Sequence, residues 1–143
     1  YLVMGDSVVT IENYAFSGCI SLKEVTLSKA LVSMGKRAFA YTAIEEIEIP
    51  KSLDYCSVDN VSYSYTLNGT TYSIWRGPFL CCENLKTVTF EKGATQIAKY
   101  LFAGCTGLEE ITIPNTVINM DSSIFYLKFW KRKNRDIFVW LLM

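Results

Sequence analysis

The chain has 143 residues, 50% of them hydrophobic and 14% aromatic, with 14 basic against 14 acidic side chains. That length predicts one domain able to bury roughly two-thirds of its unfolded surface, and a charged fraction of only 20% speaks against disorder. Zero net charge lacks the basic footprint of a general nucleic-acid binder, and zero histidines remove histidine bases, Ser–His and Cys–His nucleophile pairs and histidine metal sites together.

The chain opens at Tyr1, with no basic leader or cleavage site before the first element. Leu2 and Met4 fit the tail of a repeat unit whose first half is not in the sequence. From there a period of 23 residues governs the chain: Phe16 to Phe39, Phe79 to Phe102 and Phe102 to Phe125 are each 23 apart. Around these rings the same residues return, as in Ala15-Phe16-Ser17-Gly18-Cys19 and Phe102-Ala103-Gly104-Cys105. Leu22, Leu85 and Leu108 follow six residues after Phe, with Ile44 in the corresponding place of a unit one residue shorter. Then come the apolar pairs Val25/Leu27, Ile47/Ile49, Val88/Phe90 and Ile111/Ile113.

Each pair with its polar neighbours alternates with period two, the pattern of a half-buried strand. The segment around Tyr14-Ala15-Phe16 lacks that alternation and reads as a tight helical turn or loop on the opposite wall. A single unit cannot bury its own apolar face, so stacked units are required, giving a ladder of parallel strands. The predicted core layers are Leu2/Val25/Ile47/Val88/Ile111, Met4/Leu27/Ile49/Phe90/Ile113 and Phe16/Phe39/Phe79/Phe102/Phe125.

Between Ile49 and Phe79 lie 30 residues where 12 are normal, so 18 are extra, roughly within Ser57 to Trp75. Two alternating runs, Val61–Leu67 and Thr70–Trp75, flank Asn68-Gly69, the strongest short-range hairpin signal. A two-residue loop places Tyr65 opposite Tyr72 and Tyr63 opposite Ile74. The aromatic face of Tyr63, Tyr65 and Tyr72 either packs on the repeat stack or is presented to a ligand. Asn60-Val-Ser and Asn68-Gly-Thr match the glycosylation sequon, but the turn already accounts for Asn68.

Cys19, Cys82 and Cys105 fall three residues after the repeat Phe and are expected to line one interior row as buried thiols. Cys56 occupies the place held elsewhere by Met34, Ile97 and Met120, and also reads as core. Cys81 stands where other units have Gly; a Cys56–Cys81 bridge is conceivable, but adjacent repeat cysteines with parallel vectors suit a disulfide poorly. Cys81-Cys82 lacks the spacing of a redox or zinc pair.

The outward strand positions form the candidate ligand face: Glu24, Thr26, Glu46, Glu48, Thr87, Thr89, Glu110 and Thr112. Adjacent strands about 4.8 Å apart put Glu24 beside Glu46. An acidic, Thr-rich strip can meet a basic protein patch or a hard cation, or simply keep the face solvated; calcium lacks its usual Asp/Asn-rich loop. The neighbours Glu45-Glu46 and Glu109-Glu110 point to opposite sides and make no acid/base pair. No phosphate loop, dinucleotide fingerprint or nucleophile elbow is present, so no catalytic, metal or cofactor residue is assigned and the chain is not read as an enzyme.

Past Phe125 the pattern stops. Residues 1–125 carry nine basic and thirteen acidic groups, whereas 126–143 carry five and one. This basic, aromatic tail, with Lys128, Phe129, Trp130, Lys131, Arg132, Phe138 and Trp140, reads as a short amphipathic helix capping the open end of the core, as a stretch foreign to the repeat, or, less favoured, as a membrane-surface segment. Its longest apolar run, Ile137 to Met143, is seven residues, well short of the roughly twenty a bilayer span needs.

The pattern Ala-Phe-x-Gly-Cys-x-x-Leu-x-x-Val/Ile-Thr-Leu/Ile-Pro, seen from Phe102 to Pro114, resembles the BspA-like leucine-rich repeat family over residues 1–125. The resemblance implies a right-handed solenoid, so that the expected fold is an α/β leucine-rich-repeat solenoid of short parallel strands with turns or short helical segments, to which the residues read above add one hairpin insertion. It implies a secreted or cell-surface protein, and a non-enzymatic module that binds an extracellular or host protein or a glycan in adhesion. Abrupt ends make this chain a piece of a longer array. A structural spacer or an intracellular scaffold is the alternative.

Overall fold

The computed structural model describes residues 1–108, 110–118, 124, 129–132 and 137–141; for 60–67, 70–75, 110, 129–132 and 137–141 it describes the backbone alone. One wall of the stack carries the predicted strands: β1 (Leu2–Val3), β3 (Val25–Thr26), β5 (Glu46–Ile49), β9 (Thr87–Phe90) and β10 (Glu110–Thr112). β1 pairs with β3 and β5 with β9, all parallel, with Ile47 opposite Val88 and Ile49 opposite Phe90. Between β3 and β5 the Glu45 amide donates to the Lys23 carbonyl at 3.3 Å. Inward residues Ile47, Ile49, Val88, Ile111 and Ile113 are buried, whereas Leu2, Met4, Val25 and Phe90 are half-buried against the same core.

A second wall was not anticipated as strand. β2 (Thr10–Ile11), β4 (Ser33–Met34) and β6 (Tyr55–Cys56) form a parallel sheet in which Ile11, Met34 and Cys56 share one register row. Each strand is two residues long, too short for alternation to register in the sequence. Only the interior positions Met34 and Cys56 were legible.

The third wall consists of the Phe segments, and of the two forms expected for them, a helical turn or a loop, it takes the non-helical one. Among the described residues there is no α-helix; the wall is built of successive turns such as Ala15 N–H to Glu12 O and Ser17 N–H to Tyr14 O. The reason is backbone sign. Two residues before the ring, Tyr14, Arg37 and Tyr100 have φ of 60°, 52° and 62°; two residues after it, Gly18, Tyr41, Cys81 and Gly104 have 78°, 59°, 54° and 76°. A left-handed residue every fourth position breaks any helix. The fold is therefore strands and turns rather than α/β.

These turns stack with hydrogen bonds between units, including Phe16 N–H to Ala38 O at 2.7 Å and Phe39 N–H to Pro78 O at 2.9 Å. The rings follow: Phe16–Phe39, Phe39–Phe79 and Phe79–Phe102 centroids lie 5.2, 5.6 and 5.8 Å apart with interplanar angles of 11°, 8° and 23°. Phe39, Phe79 and Phe102 are buried and Phe16 half-buried; Phe125 lies outside the described residues. Removing a ring of this kind typically costs about 3–5 kcal/mol. Units come close enough that the backbones of Glu12 and Asn13 occupy the space a side chain on Gly35 would need.

The cysteine row is only partly as expected. Cys82 and Cys105 are buried, but Cys19 is exposed. None of the five cysteines is in a disulfide, so the Cys56–Cys81 bridge is absent. Buried thiols donate to carbonyls of the stack: Cys56 Sγ to Lys99 O at 2.8 Å and Cys82 Sγ to Phe39 O at 3.1 Å. Burial pushes the Cys82 thiol up and the Cys56 thiol up to about 12. Cys81 is explained by its backbone, since it fills the left-handed position that Gly18 and Gly104 take elsewhere.

The insertion is a hairpin of β7 (Asp59–Leu67) and β8 (Thr70–Arg76), with Asn68 and Gly69 at φ 51° and 80°. Tyr65 opposes Tyr72 and Tyr63 opposes Ile74, as the turn arithmetic predicts; a register irregularity between Asp59 and Tyr63 brings Asp59 opposite Arg76. The tail corrects its helical reading. β11 (Phe129–Arg132) and β12 (Ile137–Leu141) are strands, β12 pairs antiparallel with both β10 and β11, and the hairpin thereby extends the edge of the first wall.

Two outcomes follow from this backbone and these thiols. Cys81→Gly relieves a left-handed side chain and raises stability by about 1 kcal/mol, whereas Gly35→Ala lowers it by several times that, both read from thermal melts. Alkylation under native conditions modifies Cys19 first and reaches Cys56, Cys82 and Cys105 only on unfolding. Because folded Cys56 keeps its proton where the unfolded thiol loses it near the ordinary 9.0, its contribution is full below pH 9 and disappears towards about pH 12. The urea midpoint falls across that window, and falls less in Cys56→Ala.

Candidate functional site

Strand alternation turns Glu24, Thr26, Glu46, Glu48, Thr87, Thr89 and Thr112 outward, and all seven are exposed. Glu110 shares this face by register, as the partner of Val139; its side chain lies outside the described residues. Glu46 stands opposite Thr87 and Glu48 opposite Thr89. An open groove of about 820 Å³ runs over Glu24, Thr26, Glu46 and Thr87, and a smaller one of about 260 Å³ over Glu46, Glu48, Thr87 and Thr89. The structure thus gathers six of the eight proposed face residues along one connected surface.

The larger groove adds residues that were missed: Lys23, Glu45, Asn84 and Lys86. A sequence signal for them existed. The residue after each repeat Leu or Ile reads Lys23, Glu45, Lys86, alternating in sign across neighbouring strands. Backbone bonds confirm the adjacency, with Lys86 N–H donating to Glu45 O at 3.1 Å. The charges of this row alternate from strand to strand, and Lys86 Nζ is engaged by the Gly107 carbonyl at 2.9 Å.

The next row does not alternate. Glu24 and Glu46 are like charges on adjacent strands, and such pairs are destabilising. Among the described residues, Glu24, Glu45 and Glu46 form no ion pair. Glu48, by contrast, accepts a hydrogen bond from Lys29 Nζ at 2.9 Å, which holds that ammonium above its usual pKa, with the Glu48 charge contributing further. The acidic field of the face is therefore concentrated at Glu24 and Glu46. Asn84 supplies an amide that can donate and accept together, and the threonines supply hydroxyls. No three metal-ligating side chains converge among the described residues.

The hairpin is attached through a charged clasp. Asp59, buried at its base, pairs with Arg37 Nε and with Lys36 Nζ at 3.3 Å. Arg37 and Lys36 both lie over the Tyr14 ring, 5.7 and 5.8 Å from its centre. Alongside, the Lys36 amide donates to Ser57 Oγ at 2.7 Å and to Asn13 Oδ1 at 3.0 Å. These contacts fix where the hairpin leaves the stack. The side chains of Tyr63, Tyr65 and Tyr72 lie outside the described residues.

A family model described as the BspA type leucine rich repeat region, six copies, matches residues 1–68 and 54–132. A crystal structure of a leucine-rich repeat protein from Bacteroides ovatus is similar at 28% identity and a TM-score of 0.58, covering 86% of this chain and 27% of that one. A leucine rich cell surface protein from Faecalibacterium prausnitzii aligns at 18% identity and a TM-score of 0.39, over 87% of this chain and 50% of that one. This chain therefore spans about a quarter of the length of the first of these structures and half of the second. No curated protein matches the sequence.

The clasp carries its own prediction. Asp59→Ala leaves Arg37 and Lys36 without their buried counter-charge and lowers stability by about 3 kcal/mol. A double-mutant cycle with Arg37→Met, read by urea unfolding, shows coupling of the same order.

Proposed function

This chain belongs to the BspA-type leucine-rich-repeat family, and on that footing we propose that it is a non-enzymatic binding module of a secreted or cell-surface protein, acting in adhesion. In this reading the stacked turns form one right-handed solenoid, and its outward strand face meets an extracellular or host protein, or a glycan. One observation carries the reading more than any other. Glu24 and Glu46 stand side by side on an exposed face, without ion pairs among the described residues, at a cost that a purely structural face could avoid by substitution.

The groove over these carboxylates is wide and open, suited to a polymer surface rather than to an enclosed small molecule. A rigid ladder of parallel strands holds the outward side chains at fixed spacing, which keeps the ordering cost of binding low.

A spacer without a ligand predicts a different response to substitution. In the binding reading, Glu46→Gln raises thermal stability slightly, by about 0.5 kcal/mol, because a like-charge pair is relieved. The same change weakens binding to immobilised extracellular-matrix proteins or glycans, and Glu24→Ala/Glu46→Ala/Glu48→Ala weakens it further. Absence of binding by the unmutated chain across such a panel, or binding indifferent to these substitutions, would sink the proposal in favour of the spacer.

A further inference from the structure

The second wall has an outer surface of its own, on a different sheet from the acidic face. Ile11, Met34 and Cys56 form its inward register row and are buried, so alternation turns the row before them, Thr10, Ser33 and Tyr55, outward. Backbone bonds carry the same adjacency one residue further back. The Val32 amide donates to the Val9 carbonyl at 2.9 Å and the Asp54 amide to the Val32 carbonyl at 3.1 Å. Val9, Val32 and Tyr55 are 53%, 44% and 60% exposed; Thr10 and Asp54 are exposed as well, and Ser33 is half-buried. Neighbouring strands therefore gather exposed apolar side chains into one patch with a polar rim, a combination that marks interaction sites.

The chemistry of this patch differs from that of the first wall. Of its residues only Asp54 is charged, and it forms no ion pair among the described residues. The Ser33 hydroxyl donates to Thr10 Oγ1 at 3.1 Å, and a threonine that accepts one bond still has its own O–H to donate. Tyr55 combines an apolar ring with a phenolic hydroxyl. At these exposures the patch offers on the order of 400 Å², about half of the roughly 800 Å² that each partner brings to a standard protein interface. That is small for a second copy or a folded partner, and ample for a short sugar chain.

We infer that the outer surface of β2, β4 and β6 is a binding site for an uncharged glycan chain. A pyranose ring presents apolar C–H groups on its faces and hydroxyls around its rim. The C–H groups match the Tyr55 ring, whose π-system is negative over its face, and the methyl groups of Val9 and Val32. The hydroxyls match Thr10, Ser33 and the Tyr55 phenol, and the Asp54 carboxylate is a strong acceptor for them. Strands about 4.8 Å apart repeat at close to the width of one sugar ring, so a linear chain crossing them meets a new strand with each sugar. An anionic glycan brings its own carboxylates or sulfates to Asp54, which selects against it. This site neither needs the reading of Glu24 and Glu46 as a binding face nor fails with it.

Isothermal titration calorimetry on the whole chain tests this with uncharged β-1,4-linked hexasaccharides of glucose, of N-acetylglucosamine and of xylose. At least one is expected to bind with a Kd of about 1 mM or tighter. Tyr55→Thr, which keeps a good strand former, weakens that binding about tenfold, whereas Tyr55→Phe, which keeps the ring, weakens it by no more than about threefold. Both variants keep the melting temperature of the unmutated chain, and Glu24→Gln/Glu46→Gln leaves sugar binding unchanged. Binding of none of the sugars, or binding indifferent to Tyr55→Thr, overturns the glycan site. Loss with Glu24→Gln/Glu46→Gln but not with Tyr55→Thr overturns it too, and leaves the first-wall reading standing. Concentration-dependent dimerisation that Tyr55→Thr abolishes in sedimentation velocity overturns it in favour of contact between copies.

Discussion

Inter-unit stacking is the constraint from which the rest of this molecule follows. No unit has enough apolar surface to make a core alone, so every interior side chain depends on the unit before or after it. The Phe ladder shows this most directly, since Phe39 and Phe79 are buried because rings lie above and below them at 5.2–5.8 Å. Phe16 is the same residue in the same turn, yet only half-buried, with one ring, Phe39, stacked against it. Cys19, in the same unit, is exposed. Burial here is a property of position in the stack rather than of residue type.

Backbone sign is what makes such close stacking possible. Left-handed residues flank the ring, breaking the chain into turns whose amides bond to the next unit instead of to a helix of their own. Where units touch most closely, Gly35 and Gly107 leave space for the neighbouring main chain. The consequence is a regular outer face. Every outward side chain inherits the strand spacing, and charge pattern becomes a matter of which residue each unit places there.

Two electrostatic habits then coexist on one surface. The row of Lys23, Glu45 and Lys86 alternates in sign, and Lys29 pairs with Glu48. Glu24 and Glu46 are left as an adjacent like-charged pair over the groove. This difference, rather than overall acidity, is what sets that part of the face apart from the rest of it.

Periodicity in the sequence was enough to determine the repeat, the inward rows and the outward Glu and Thr positions, because stacking imposes the same spacing on every unit. The Asn68-Gly69 hairpin and its register were equally legible, since that turn is dictated by two adjacent residues that tolerate positive φ. The second wall was not, because two-residue strands leave no alternation to read. Exposure of Cys19 and the pairing of Glu48 depend on neighbours distant in sequence, which a local pattern cannot supply. The Phe segments read as helical turn or loop alike, because non-glycine residues such as Tyr14 and Arg37 give no outward sign of a left-handed backbone. The tail shows the limit best: its aromatic and basic residues suit helix or strand alike, and only the unpaired edge of β10 decided that they form strands.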